Sequence, residues 1–392
     1  MDIKKIKPLI INISLFFLSI ILVLVILEIF IRIFLPGAYR HQQIYQYVYH
    51  PQAGYQLEKN YDQMVDSGNG PIHVITNEYG YIGQSFPIAK PANEFRIANF
   101  GDSYVEGIQM VDWDKTFVAL MEENLNAEIQ EPLYARSLNF GIGGRGTVEE
   151  FWTYKYIVQK ARPDLNILWF TLANDFGNNY LPVNKYASLS QNRMGTVKYL
   201  LKKSALVSFV FEYLKDNLTF ISILQRFGLS NRVVYTGDIN IDEDEVALED
   251  KINYSIKTEM KEIQERAYLV TEELLKNFKE LVEQNNEKFL VVIIPEIRRL
   301  YPDLGDEFFE IYPKASRKDY DFSKAVNQLL PILEKNKIDY IDLTDFIKRY
   351  DAQETNIEYC GDLFKDHLTP CGHRALAKFI SQFILKHYLP AS

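Results

Sequence analysis

Apolar runs punctuate this chain, and their lengths sort them into different kinds of element. The first spans residues 8–27, 20 positions without a charge, enough for a helix to cross a hydrocarbon core. The apolar pattern carries on through Glu28-Ile29-Phe30-Ile31-Arg32-Ile33-Phe34-Leu35, with no small-residue cleavage site of the kind that ends a secretory signal. Residues 8–35 are therefore expected to form one uncleaved transmembrane helix, with a cleaved signal as the alternative. Glu28 and Arg32, four apart on one face, should pair near its far boundary. Lys4, Lys5 and Lys7 precede the run and place residues 1–7 in the cytoplasm by the positive-inside rule. The rest of the chain is then extracytoplasmic.

Residues 36–93 hold no long run. They are rich in Tyr, Gln, Asn, Gly and Pro, with brief alternation such as His73-Val74-Ile75-Thr76, and read as a stalk leading into one or two edge strands. No chemistry is legible there. From Glu94 the pattern changes to strand, turn, helix. Short apolar runs at 95–100, 137–140, 165–172, 288–295 and 338–343 are of strand length, and amphipathic stretches at 116–125, 148–161, 257–283 and 321–335 fall between them. The run LNILWFTL at 165–172 is unbroken, as in strands buried on both faces. Strands alternating with helices predict an α/β domain over 94–392 whose mostly parallel sheet is covered on both sides.

An insertion at about 180–256 breaks that rhythm. Its part at 197–227 has helical apolar spacing and predicts helices packed on the core, with a lid or a membrane-surface helix as alternatives. Asp238, Asn240, Asp242 and Glu249 partly imitate a calcium loop, yet Glu243 stands where the sharp turn needs Gly. An acidic solvated loop is expected there, and no metal site.

Composition narrows the classes. With 392 residues, 47% of them hydrophobic, the chain can bury one large core plus an appendage. A net charge of -9 argues against nucleic acid, whose phosphates need a basic face. The aromatic share, 14%, is high enough to serve packing, or else sugar-stacking surfaces. The histidines available as a general base are His41, His50, His73, His367, His373 and His387. Cys360 and Cys371 bracket His367. Outside the cytoplasm they can form a disulfide, worth about 3 kcal/mol for a loop of this length in the chain-entropy account; two free thiols are the alternative.

Acyl transfer needs a nucleophile, a base, a group to orient the base, and donors for the oxyanion. In an open parallel sheet these belong at the carboxyl ends of strands. Ser103 follows the first core strand in FGDSYVEG, where Gly101 permits a sharp turn. Gly144 follows the second, in NFGIGGRGT. Asn174 ends the third, in LAND. His367 lies in the last loop, DHLTPCGH, before a final helix. His373, which starts that helix, competes for the base role but is better suited to capping or packing.

These four blocks, in this order, resemble the SGNH (GDSL-type) esterase and lipase superfamily over about residues 94–387. The resemblance implies a three-layer α/β/α sandwich of flavodoxin-like topology, with neither metal nor cofactor. It implies Ser103 as nucleophile, His367 as base, and oxyanion donors from the Ser103 and Gly144 backbone and the Asn174 side chain. One departure stands out: the family's acid falls three residues before the base, and that position is Phe364. Asp366 is the first candidate to replace it and Asp362 the second, with a Ser–His dyad if neither serves. Asp102 and Asp175 are expected to be structural.

The stretch at 141–146 also satisfies G-x-G-x-x-G, but Asp175 lies beyond the usual spacing of a dinucleotide site. The expected function is a membrane-anchored serine esterase. It would remove or transfer acyl groups, acetyl first, on an envelope or exported glycan, with lipid esters second. A non-catalytic glycan-binding or assembly component is the contrasting class, and the sequence names no protein partner.

Overall fold

The computed structural model describes residues 3–35, 47–50, 52–67, 70–108, 110–180, 204–214, 256, 258, 262–311, 316–364 and 367–389. The chain divides into two compact units. One comprises residues 1–44 and 188–236; the other comprises 45–187 and 237–392.

In the first unit, helix α1 (Ile3–Phe34) is long and apolar enough over Ser14–Phe34 to cross a membrane. The expected Glu28–Arg32 pair is present, with Arg32 Nε donating to Glu28 Oε1 at 2.8 Å.

The second unit starts with two antiparallel hairpins, β1 (Tyr47–His50) with β2 (Gly54–Leu57) and β3 (Asp62–Asp66) with β4 (Pro71–Ile75). These are separate two-stranded sheets, not the edge strands anticipated for 36–93. Next come β5 (Glu94–Phe100), the single turn α2 (Ser103–Glu106), α3 (Phe117–Glu128), β6 (Tyr134–Asn139), α4 (Thr147–Tyr156), β7 (Leu165–Thr171) and α5 (Asp175–Tyr180). Helix α6 (Ala205–Leu214) belongs to the first unit and packs on α1. The described part of the 197–227 stretch therefore packs on the apolar amino-terminal helix. The acidic 238–249 stretch lies outside the described residues. The second unit resumes with α7 (Glu262–Gln284), β8 (Lys288–Ile294), α8 (Ile297–Leu300), α9 (Pro302–Ile311), α10 (Lys324–Lys335), β9 (Asp339–Asp342), α11 (Leu343–Asp351) and α12 (Pro370–His387).

Five strands form one parallel sheet in the order β6-β5-β7-β8-β9. Period-2 alternation sends the strand residues to two cores. On one face Ile97, Ile167, Trp169, Val292 and Ile294 meet α3, α11 and α12 through Phe117, Met121, Phe346, Tyr350, Leu376 and Ile380. On the other, Phe100 meets Phe278 of α7 at 5.4 Å between ring centroids, and Tyr154 of α4 packs on the same Phe278 ring. The result is a three-layer α/β/α sandwich. Every residue of β7 is buried, as its unbroken apolar run requires, and each large side chain so removed from water contributes about 1.5–3 kcal/mol. Chain order reverses between β6, β5 and β7. That places a crevice outside the carboxyl ends of β5 and β7, where open α/β sheets bind ligands.

Candidate active site

Strand β5 ends at that crevice, and Gly101 makes the exit tight. A Cβ there would sit 2.4 Å from Val105 Cγ2 and 3.2 Å from Trp169 Cβ, so the turn tolerates no side chain. Asp102 then caps α2, its carboxylate accepting the Tyr104 N–H at 2.9 Å. The helix is only one turn long, closed by Gly107 in the left-handed region at φ 75°. Ser103, its first residue, meets His367: Nε2 lies 2.9 Å from Ser103 Oγ. The two residues are 264 positions apart in sequence.

The loop that delivers His367 is tied down on both sides. Phe364 and Leu368 bridge antiparallel across the bend. Thr369 donates its hydroxyl to the Asp362 carbonyl and its N–H to the Leu363 carbonyl, and also caps α12 by accepting the Gly372 N–H. Cys360 and Cys371 are joined by a disulfide. The Tyr104 ring lies 5.2 Å from the His367 ring and 6.2 Å from Phe364. Asp362 is described and exposed; Asp366, the first candidate to orient His367, lies outside the described residues.

Asn174 and Gly144 arrive from the neighbouring strand ends. Asn174 Nδ2 donates to the Asp102 carboxylate, which ties the end of β7 to the nucleophile turn. After β6, Gly143 approaches Ser103 so closely that a Cβ on it would be 3.6 Å from Ser103 Cβ. Gly144 follows at φ 75°, a conformation natural to Gly. Thus Ser103, Asn174 and the Gly143–Gly144 loop share one end of the sheet.

His373 is not part of this set. It is 1% exposed, and its Nδ1 accepts the Phe117 N–H at 3.0 Å. Burial holds its pKa down to about 3, against an opposing hydrogen bond with the Gly107 backbone. It joins α12 to α3 as a neutral ring.

Four contributors escaped the sequence reading, two of them from the segment in which no chemistry was legible. Tyr55 of β2 donates its hydroxyl to the Gly143 carbonyl at 2.7 Å. Tyr47 of β1 donates to the Glu106 carboxylate, with its oxygen 3.2 Å from Oε2, and its ring stands edge-on to Tyr55. Glu106 is fully buried and accepts the Gly143 N–H at 2.5 Å. Arg145, also fully buried, donates to the carbonyls of Ala53 and Tyr55 and to Thr153 Oγ1. Its guanidinium lies over the Tyr55 and Tyr81 rings, 5.3 and 5.6 Å from their centroids, within cation–π range. The loop next to Ser103 is thus held from α2 and from the first hairpin. Only the Arg in GGRG and the Glu three residues after Ser103 left any mark in the motifs.

Behind the site lies a group of buried acids. Burial pushes Asp102 up to about 6, against hydrogen bonds from the Tyr104 N–H and the Asn174 amide that favour its charged form. Burial, then repulsion from neighbouring carboxylates, holds Glu150 and Asp175 well above the ordinary range. Asp175 also accepts the Thr171 N–H at 2.8 Å, so Asp102 and Asp175 both have structural partners, as expected.

No protein-family model matches the chain, and no curated protein matches it. Solved structures do. The acetyl xylan esterase AlAXEase is 14% identical, over 75% of this chain and 100% of that one, with a TM-score of 0.36. TesA is 10% identical, over 75% and 99%, with a TM-score of 0.36. The lipase/acylhydrolase from Enterococcus faecalis is 14% identical, over 76% and 98%, with a TM-score of 0.37.

Proposed function

We propose that this protein is a membrane-anchored serine esterase that removes, or transfers, acyl groups on an envelope or exported glycan, acetyl groups first. The observation that carries the reading is the 2.9 Å contact between His367 Nε2 and Ser103 Oγ at the reversal point of the sheet. In the proposed reaction Ser103 Oγ attacks the ester carbonyl while His367 Nε2 takes its proton. The developing oxyanion is met by the backbone N–H groups of Ser103 and Gly144 and by the Asn174 amide. Collapse expels the alcohol, which leaves with the proton held on His367, and the acyl group stays on Ser103. Water, or a second sugar hydroxyl, then takes the acyl group by the reverse sequence. Asp366 is the first candidate to orient His367 and Asp362 the second.

A glycan substrate is supported by the aromatic surroundings of Ser103. The Tyr47 and Tyr104 rings offer flat apolar faces with polar edges, the kind of surface a sugar ring stacks on. The anchor reading is supported by α1, whose Leu22, Val23, Ile26 and Ile33 are about half exposed or more, a surface suited to lipid and not to water.

The test treats the full chain, in detergent micelles, with a fluorophosphonate probe and a small acetyl ester. Labelling should be stoichiometric at Ser103, with turnover, and both should collapse in Ser103→Ala and His367→Ala. Of Asp366→Ala and Asp362→Ala, only the orienting residue should show a large loss of kcat. A folded, oxidised protein that neither labels nor turns over would remove the enzyme reading in favour of a binding role.

A further inference from the structure

A carboxylate stands in the most apolar segment of the chain. Glu28 lies in α1 six residues before Phe34, which at 1.5 Å per residue is about 9 Å inside the end of the helix. A charge at that depth is costly unless it is partnered, and such residues mark function by default. Here the partners come from the insertion. Glu28 accepts the N–H groups of Ala205 and Leu206 at 2.9 and 2.8 Å and the Ser204 hydroxyl at 2.7 Å, in addition to Arg32. Ser204 Oγ in turn accepts the Val207 N–H at 3.2 Å. The N–H groups of the first three residues of α6 are thereby satisfied within the protein.

Two features give this arrangement a meaning. A helix beginning in water can leave its first N–H groups to solvent, whereas one beginning in hydrocarbon must satisfy them internally. Helix α6, with the sequence ALVSFVFEYL, carries a single charged residue, Glu212. Its Val210 is 37% exposed, so part of its apolar surface has no protein cover. In α1, Ile31 is buried and the Glu28 side chain is 23% exposed, while the other described side chains of that helix are exposed. The covered positions, Glu28 and Ile31, lie three apart on one face, at the level where α6 starts.

We infer that α6 is a second membrane-seated element: a short helix in the outer part of the bilayer, pinned to the transmembrane helix by Glu28, with lipid acyl chains as the occupant of its open apolar face. The inference rests on α1 spanning the membrane and is independent of the esterase chemistry. Its consequence is that the inserted segment is held at the membrane, and the chain meets the bilayer twice.

The experiment places single cysteines in the full-length protein in lipid vesicles. The native cysteines are bonded to each other and do not compete for label. Val210→Cys reports α6, Val23→Cys reports α1, and Met64→Cys on β3, 62% exposed, serves as the aqueous control. Each carries an environment-sensitive fluorophore, quenched either by lipids brominated along the acyl chain or by iodide in solution. The expected result is loss of fluorescence to bromolipid and shielding from iodide at Val210→Cys and Val23→Cys, with the reverse at Met64→Cys. Iodide quenching at Val210→Cys with bromolipid quenching kept at Val23→Cys would overturn the seating of α6 and leave the anchor intact. Iodide quenching at both would overturn the anchor and the inference together. Adding Glu28→Ala to Val210→Cys should transfer quenching from bromolipid to iodide; an unchanged pattern would refute the pinning.

Discussion

Asn174→Ala separates two jobs held by one side chain, because its amide nitrogen has two N–H groups. One is given to Asp102; the second is the one proposed to meet the oxyanion. Losing an oxyanion donor costs about 3 kcal/mol in the transition state, a fall of about 10²–10³ in kcat. Losing the bond to Asp102 is a stability matter. Asp102 is 1% exposed and keeps the Tyr104 N–H, so the expected cost is about 1–3 kcal/mol. For a domain of this size that lowers Tm by several degrees, at about 2–4 °C per kcal/mol. The two effects are read by different instruments: kcat and KM with a small acetyl ester, and a thermal melt of the same preparation. KM should stay near wild type, since the donor acts on charge absent from the ground state. A folded variant with kcat within about tenfold of wild type, or a loss carried by KM alone, would refute Asn174 as an oxyanion donor.

The remaining predictions concern charge and the disulfide. Glu150 is held well above the ordinary carboxylate range by burial and by repulsion from Asp102. The native state thus keeps a proton that the unfolded chain releases, and stability falls as pH rises through the ordinary carboxylate range toward the raised folded pKa. Glu150→Gln, which never ionises, should flatten that slope and gain on wild type at pH 7 relative to pH 4 in urea titrations; parallel curves would refute the reasoning. Cys360→Ser with Cys371→Ser should cost about 3 kcal/mol in the chain-entropy account and lower kcat by loosening the His367 loop, with KM little changed. Unreduced, denatured wild type should show no free thiol.

The parallel sheet was legible because each strand carries its own signature. LNILWFTL is apolar at both parities, and β7 is buried at every position. The candidate site was legible for a related reason: Ser103, Gly144, Asn174 and His367 each follow a local turn or strand end that short motifs record. The hairpins were not. Four-residue strands such as β1 and β2 have no period to read, and the value of Tyr55 lies in a carbonyl 88 residues away. The partner of α6 was not legible for a different reason. Helical spacing tells which face is apolar and not what covers it, and the contact of α6 with Glu28 left no mark in that spacing.

Arg145 bears on how this protein can be cut. Its guanidinium is sealed in the interior and leans on the carbonyls of Ala53 and Tyr55. A protease acting between residues 36 and 46 would break the covalent link to α1 with those acceptors still in place, leaving the contact of α6 with Glu28. Cleavage a few dozen residues later, just ahead of Glu94, would yield a shorter product with all four motif residues present. That product would retain a permanent positive charge stripped of its two carbonyl acceptors, with Thr153 Oγ1 left to it, beside the loop that flanks Ser103. The first product should keep a working site and, with α6 seated as inferred, stay at the membrane; the second should be a fragment complete in its motifs but unable to hold its site.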